Sequence, residues 1–408
     1  MADRRSPKIR AGSRMKEMMS IYYVGAKNAA DNGQKVAWIT SGGPVELLIA
    51  MDVIPVYPEN HGAMCGVTRM GPELCEITEQ MGYSRDICSY ARCDIGSAVS
   101  GKSPIMGLPK PDFLLCCNNI CGTVTKWYEV LARLFDVPLV FIDTPFIHDE
   151  LTESGVEYVK SQLLRATKQM ETILGRKFDR DRFAEVATLS GRASSLWGEA
   201  LGMCKSIPSP MSAFDGFILM APIVTLRGTQ EVIDFYEALK KELEERVAQG
   251  VAAVAGEKHR LLWDNLPIWF KMRDLSEKFI DLSACIVAST YLNAWARYEL
   301  DATNAMDSIA RAYASAFPNE SIQHRAKLMR DIIEQYSVDG IIFHSNRSCR
   351  PYSLGQYDIK EMLTEWTGVP GLLIEADMND ERAYSDGPAM TRIEAFIETL
   401  KPRREARV

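Results

Sequence analysis

The chain has 408 residues, 47% of them apolar and 25% charged, with 54 acidic against 47 basic side chains and a formal net charge of −7. That is an ordinary globular composition, long enough for two or three domains at about 100–200 residues each. The acidic balance gives no general ground for nucleic-acid binding, so none is expected.

Residues 1–20 carry charge throughout and lack the apolar centre of a signal peptide, so the chain is expected to stay in the cytoplasm. The basic stretch MADRRSPKIRAGSRMK, and KPRREARV at the other end, read as solvated tails rather than polyanion-binding arms. Short β-branched apolar runs then recur, each followed by small or polar residues and a helical pattern. They are VAWIT before Ser41, DFLLCC before Asn118 and PLVFID before Thr144. From Glu150 to about Arg273 the pattern changes, and stretches such as VEYVKSQLLRATKQMETIL and TQEVIDFYEALKKELEERVAQG read at helical spacing with charge pairs on the outer face. Strand-like runs return as ACIVAST, DGIIFHS and PGLLIEAD. The longest apolar runs, such as GFILMAPIVTL, fall well short of the about 18 residues a membrane helix needs, so no membrane span is expected. Strands alternating with helices predict an α/β protein with parallel sheets. The predicted organisation is a basic tail over 1–20, an α/β domain over 21–150, a largely helical region over 151–273 and a second α/β domain over 274–408.

Ligands of open parallel sheets sit beyond the carboxyl ends of the strands. The residues there are Ser41-Gly42-Gly43, Asn118 to Cys121, and Ser345 to Cys349. Cys121 and Cys349 each stand just before a new helix, where the dipole lowers a thiol pKa and favours the thiolate a metal needs. Ten cysteines in a reducing compartment call for metal, catalysis or burial rather than disulfides, and seven of the ten fall between Cys65 and Cys121. They do not form the paired knuckles of structural zinc, since Cys117 and Cys121 make a single short pair with remote candidates at Cys88 and Cys349. Strand alternation points Cys116 and Cys117 to opposite faces, so at least one of them is core filling. The spread suits a cluster held by separated cysteines at the lips of different elements, with plain burial as the alternative.

Residues 96–103, GSAVSGKS, match the phosphate-loop pattern through Lys102 and Ser103. That motif works only between a buried strand and a long helix. Here a polar lead-in precedes it and PIMGLPKP follows, so the segment is predicted to be a turn-rich loop without nucleotide.

The strings CSYARCDIGSAVSGKSP, CNNICGTVTKWYE and IIFHSNRSCRPYSLGQYD, in that order, closely resemble segments of the (R)-2-hydroxyacyl-CoA dehydratases and, more distantly, of the benzoyl-CoA reductases. The resemblance runs from about Met15 to the last helix. It implies two parallel-sheet domains of Rossmann or flavodoxin type around the helical middle. It also implies a subunit whose 4Fe–4S cluster has three cysteine ligands and one open iron. Carried over by position, the ligands fall on Cys88, Cys121 and Cys349, the active-site serine on Ser41 in ITSGGPVE, and the active-site glutamate on Glu59 in VYPEN. Cys93, Cys116 and Cys117 become neighbours that bind no iron. Without the resemblance, Ser41 would read as a turn residue and Glu59 as a solvated carboxylate. His61 and His344, isolated and without metal-like spacing, read as hydrogen-bonded neighbours.

The implied reaction is loss of water from a 2-hydroxyacyl-CoA through a ketyl radical anion. The implied partners are an acyl-CoA substrate, a homologous second subunit and a separate ATP-dependent iron–sulfur activator. Two alternatives stand beside it: a benzoyl-CoA-reductase-type subunit, and a zinc-binding structural protein with no catalytic role.

Overall fold

Eight short strands among the described residues carry the frame: Val36–Ile39 (β1), Ile54–Val56 (β2), Phe113–Cys117 (β3), Leu139–Ile142 (β4), His259–Asp264 (β5), Ala284–Ser289 (β6), Gly340–Asn346 (β7) and Gly371–Ala376 (β8). The structure is a computed structural model and describes residues 7–400. The first six residues of the expected tail and the KPRREARV end lie outside the described residues.

The strands form two four-stranded sheets, ordered β2-β1-β3-β4 and β6-β5-β7-β8, and every neighbouring pair is parallel. The chain is therefore α/β, as the strand-and-helix pattern predicts. β1, β3 and β6 are buried at every residue, which is why each reads as an unbroken apolar run rather than an alternating one. Long helices at Glu153–Leu174, Arg180–Gly202 and Gln230–Ala248 fill the middle of the chain. The first two start on side-chain caps, Thr152 accepting from the Gly155 N–H and Asp179 from that of Arg182. No helix among the described residues is long and apolar enough to cross a membrane.

Three elements were not expected from the sequence reading. The basic tail expected over 1–20 gives way at Ala11 to a helix, Ala11–Asp31, that buries Met15, Met18 and Met19 on one face. Its start is anchored by the Glu242 carboxylate, which accepts from the backbone N–H groups of Arg10 at 2.7 Å and Ala11 at 3.1 Å. β2 was not predicted, being three residues with a proline at an edge of the sheet. β5 was not predicted either, and it is central: it pairs with both β6 and β7, so the second sheet begins at His259 rather than after 273.

Each sheet has one point where successive crossovers depart in opposite directions, between β1 and β3 in the first and between β5 and β7 in the second. Such switch points open a crevice at the carboxyl edge. The two crevices face one cavity.

Candidate active site

Every strand except β4 sends a residue from just beyond its carboxyl end to the wall of this cavity: Ser41 after β1, Glu59 after β2, Cys121 after β3, Leu266 after β5, Tyr291 after β6, Cys349 after β7 and Met378 after β8. Cys88 completes the set of thiols on the same wall. The three thiols and the Ser41–Glu59 pair, far apart in sequence, are thus brought together.

Each of these thiols occupies the same local position. Cys88 is the N-cap of the helix Ser89–Ser100, Cys121 of Gly122–Phe135, and Cys349 of Arg350–Ser353. The Cys121 sulfur accepts from the Val124 N–H at 3.4 Å. They are also the cysteines that retain partial exposure, while the other seven are buried. Burial pushes the Cys88 thiol up to about 12, against the opposing pull of the helix amides, and raises Cys121 and Cys349 as well. The lowering expected from the helix dipole is therefore outweighed by desolvation. The thiols also feel one another: Cys121 raises Cys88, and both raise Cys349. Three thiolates meet there only with a cationic group between them.

The residues fit a cluster better than a single ion. Among the described residues no group of three or more His, Cys, Asp or Glu side chains is close enough to hold one metal ion. Three soft thiolates arranged around a cavity suit iron–sulfur ligation, in which each sulfur reaches a different iron.

Ser41 and Glu59 are in direct contact. The Glu59 Oε1 accepts from the Ser41 N–H at 2.9 Å and from its Oγ–H at 3.2 Å, and the Tyr128 hydroxyl donates to Oε2 at 3.4 Å. Glu59 lies in the first turn of the helix Pro58–Val67, which Pro58 opens with its fixed φ. Burial raises its carboxyl to about 7, with the Ser41 bonds pulling the other way. A carboxyl so placed exchanges protons near neutral pH.

Several supporting residues were not singled out from the sequence. The Ser89 N–H donates to the Ser348 Oγ at 3.1 Å, and Ser348 in turn donates to Asp377. This ties the Cys88 loop to the Cys349 loop across the two sheets. Asn119 is fully buried and donates to the Gly42 carbonyl at 2.8 Å and the Tyr313 carbonyl at 2.6 Å, fixing the Cys121 loop to the Ser41 turn. A Cβ on Gly42 would come within 2.9 Å of both Asn119 and Ile120, so glycine is required for that approach.

The remaining candidates are neighbours. Cys116 and Cys117 are both fully buried in the core, and the Cys93 sulfur packs 3.7 Å from that of Cys75. The His61 Nε2 bonds the Ser103 hydroxyl at 2.9 Å, and the His344 Nδ1 lies 2.6 Å from the Leu266 carbonyl. Burial drives His344 down to about 4, so its ring is neutral. The phosphate-loop look-alike has no preceding strand. Its first five residues, expected to be loop, are the end of the helix Ser89–Ser100, and only Gly101 to Ser103 form the turn. Gly96 allows a close approach to the helix Gly71–Gln80, since a Cβ there would meet the Leu74 carbonyl at 2.2 Å, and Lys102 is exposed and paired with Glu73.

Residues 40–400 match the family described as 2-hydroxyglutaryl-CoA dehydratase, D-component. The chain belongs to this family. It is 38% identical over 397 residues to the (R)-2-hydroxyisocaproyl-CoA dehydratase alpha subunit of Clostridioides difficile, covering 95% of this chain and 96% of the relative. It is 34% identical over 395 residues to the (R)-phenyllactyl-CoA dehydratase alpha subunit of Clostridium sporogenes, covering 96% of each. A benzoyl-CoA reductase subunit of Thauera aromatica is 28% identical over 408 residues, covering 96% of this chain and 94% of the relative. The resemblance read from the three cysteine strings is thus the family of the whole chain.

Proposed function

We propose that this chain is the alpha-type subunit of a 2-hydroxyacyl-CoA dehydratase, which takes water from a 2-hydroxyacyl thioester to leave a 2-enoyl-CoA. The observation that carries the reading is the convergence of three thiols at helix N-cap positions and the Ser41–Glu59 pair on one cavity. Cys88, Cys121 and Cys349 would hold a 4Fe–4S cluster. When bound, that group would supply an iron free of protein ligands as a Lewis acid for the thioester carbonyl, and the single electron that makes it a ketyl radical anion and that returns to the group once water and the C3 proton have left, so that the dehydration is redox-neutral.

The chain's own residues do the rest. The Ser41 hydroxyl, released from Glu59, donates to the substrate oxygen. Glu59 holds a proton near neutral pH and delivers it to the departing 2-hydroxyl, forming water. Its carboxylate then takes the proton from C3, which the preceding reduction has made acidic, and is protonated again for the next turnover. The apolar wall keeps bulk water from the radical.

The electron comes from outside, since GSAVSGKS has no phosphate-binding context. A separate ATP-hydrolysing iron–sulfur activator would supply it, and a homologous second subunit would complete a heterodimer. The alpha-subunit names of the relatives support that assembly. The compartment is the cytoplasm.

The test is anaerobic purification with metal and acid-labile sulfide analysis, followed by assay with the second subunit and activator against 2-hydroxyacyl-CoA and aromatic acyl-CoA esters. Iron, sulfide and enoyl-CoA formation are expected. Ser41→Ala and Glu59→Gln should each keep the iron and lower turnover by about 10²-fold or more. Zinc in place of iron would sink the reading, and reduction of an aromatic ring without dehydration would favour the benzoyl-CoA-reductase type.

A further inference from the structure

We propose that the acyl chain of the substrate is bulky and apolar, branched alkyl or aryl, and that this site rejects a chain bearing a second carboxylate. The inference rests on the dehydratase reading and deepens it. Among the described residues no Lys, Arg or His lines the cavity, and Glu59 is its one carboxylate. Its walls are instead rich in rings: Trp127, Tyr291, Trp295, Tyr298, Phe317 and Tyr352. A carboxylate at the far end of a short acyl chain would enter this space with no cation on the wall to meet it. Burying an unpaired charge is strongly unfavourable.

The guanidiniums of Arg227 and Arg325 pack behind the rings and are committed there. Arg227 is fully buried, with its guanidinium 5.3 Å from the ring centre of Trp295 and 5.5 Å from that of Tyr298, two lining residues. It donates to the Tyr313 hydroxyl at 2.9 Å, the Ile223 carbonyl at 3.0 Å and the Gly43 carbonyl at 3.3 Å. Its charge is met by Glu46 at 3.5 Å, itself fully buried. Arg325, also buried, stacks 4.8 Å from the Phe317 ring and 5.3 Å from that of Tyr352, and donates to the carbonyls of Pro351 and Tyr352. Both cations therefore stiffen the aromatic wall from outside the cavity, with the rings between them and a ligand. An apolar chain gains from the same surroundings, about fourfold in affinity for each buried methylene. A chain as small as a methyl group leaves most of the wall uncovered.

The experiment uses the assembled dehydratase and four CoA esters, 4-methyl-2-hydroxypentanoyl, 3-phenyl-2-hydroxypropanoyl, 2-hydroxypropanoyl and 2-hydroxyglutaryl, measuring anaerobic calorimetric binding and kcat/KM for each. The first two should exceed the glutaryl ester by about 10²-fold in both. Ala294→Lys, or Ala316→Lys where the first fails to fold, places a cation on the wall and should raise glutaryl-ester binding at least about tenfold. Glutaryl binding within about threefold of the apolar esters, before any cation is added, overturns the inference. Preferential dehydration of the glutaryl ester overturns it while upholding the dehydratase reading. Preferential binding of apolar esters with no dehydration does the reverse. Failure of every ester to bind removes both.

Discussion

Glu59 joins two facts that a surface carboxylate never combines: bonds from Ser41 and Tyr128, and a proton affinity raised to about 7 by burial. Its unfolded value is near 4.3. As pH rises through this window the unfolded chain loses the proton first, so stability present below about 4.3 is lost by about 7. Glu59→Gln has no proton to lose. Its stability relative to wild type should therefore increase between about pH 5 and about pH 8, measured by denaturant unfolding of the iron-free protein. A constant difference would show that the folded carboxyl is already ionised at the lower pH. The cysteines separate in the same way. Cys88→Ala, Cys121→Ala and Cys349→Ala should each strip iron, whereas Cys116→Ala should keep it and cost only roughly 1–2 kcal/mol for the small cavity left in the core. Iron retained in any of the first three, or lost in the last, would reassign the ligands.

At the scale of elements, the helix Ser89–Ser100 shows why a motif needs its context. Its Gly96 serves close packing on the helix Gly71–Gln80 rather than phosphate. Alanine there has the better helix propensity by about 1 kcal/mol. The 2.2 Å approach to the Leu74 carbonyl should still make Gly96→Ala a net loss of roughly 1–3 kcal/mol in thermal or denaturant unfolding. Lys102→Ala removes only an exposed pair and should change stability by less than about 1 kcal/mol. It should also leave ATP-dependent activation intact. ATP binding by this chain that vanished in the Lys102 variant would restore the phosphate-loop reading.

For the molecule as a whole, buried polar contacts join the parts that meet at the cavity. Arg227, from the helical middle, reaches Gly43 and Glu46 beside the first sheet and Tyr313 from the segment between β6 and β7. Tyr313 closes the loop by donating to Glu46 at 2.8 Å. Arg227→Met leaves the Glu46 charge inside without its cation and should destabilise by roughly 3–5 kcal/mol. Adding Glu46→Gln should recover most of that, because a neutral amide no longer needs the guanidinium. Denaturant midpoints of the single and double variants check this, and a single variant as stable as wild type would mean the pair carries no buried charge.

The strand runs VAWI, FLLCC and ACIVAS were legible because a strand covered on both faces must be apolar at every residue. The helical middle was legible from its 3.6-residue period, and the Ser41, Glu59, Cys88, Cys121 and Cys349 positions from strings long enough to carry a family resemblance. The helix at Ala11–Asp31 was hidden because its first turns continue the basic stretch through Arg14 and Lys16, while Met15, Met18 and Met19 make the buried contacts. β5 was hidden because HRLLWD opens with two polar residues, and Arg260 is buried only because Glu257 and backbone carbonyls receive its charge. Arg227 reads as a surface residue for the same reason: its partners come from positions 43, 46 and 313. Periodicity and capping depend on near neighbours, so the sequence by itself determined most of the strands and helices and the residues that end them, but not β2, β5 or the helix Ala11–Asp31. The order of strands decides which of those ends meet, and only the tertiary structure set three thiols, a carboxyl and an aromatic wall around one space.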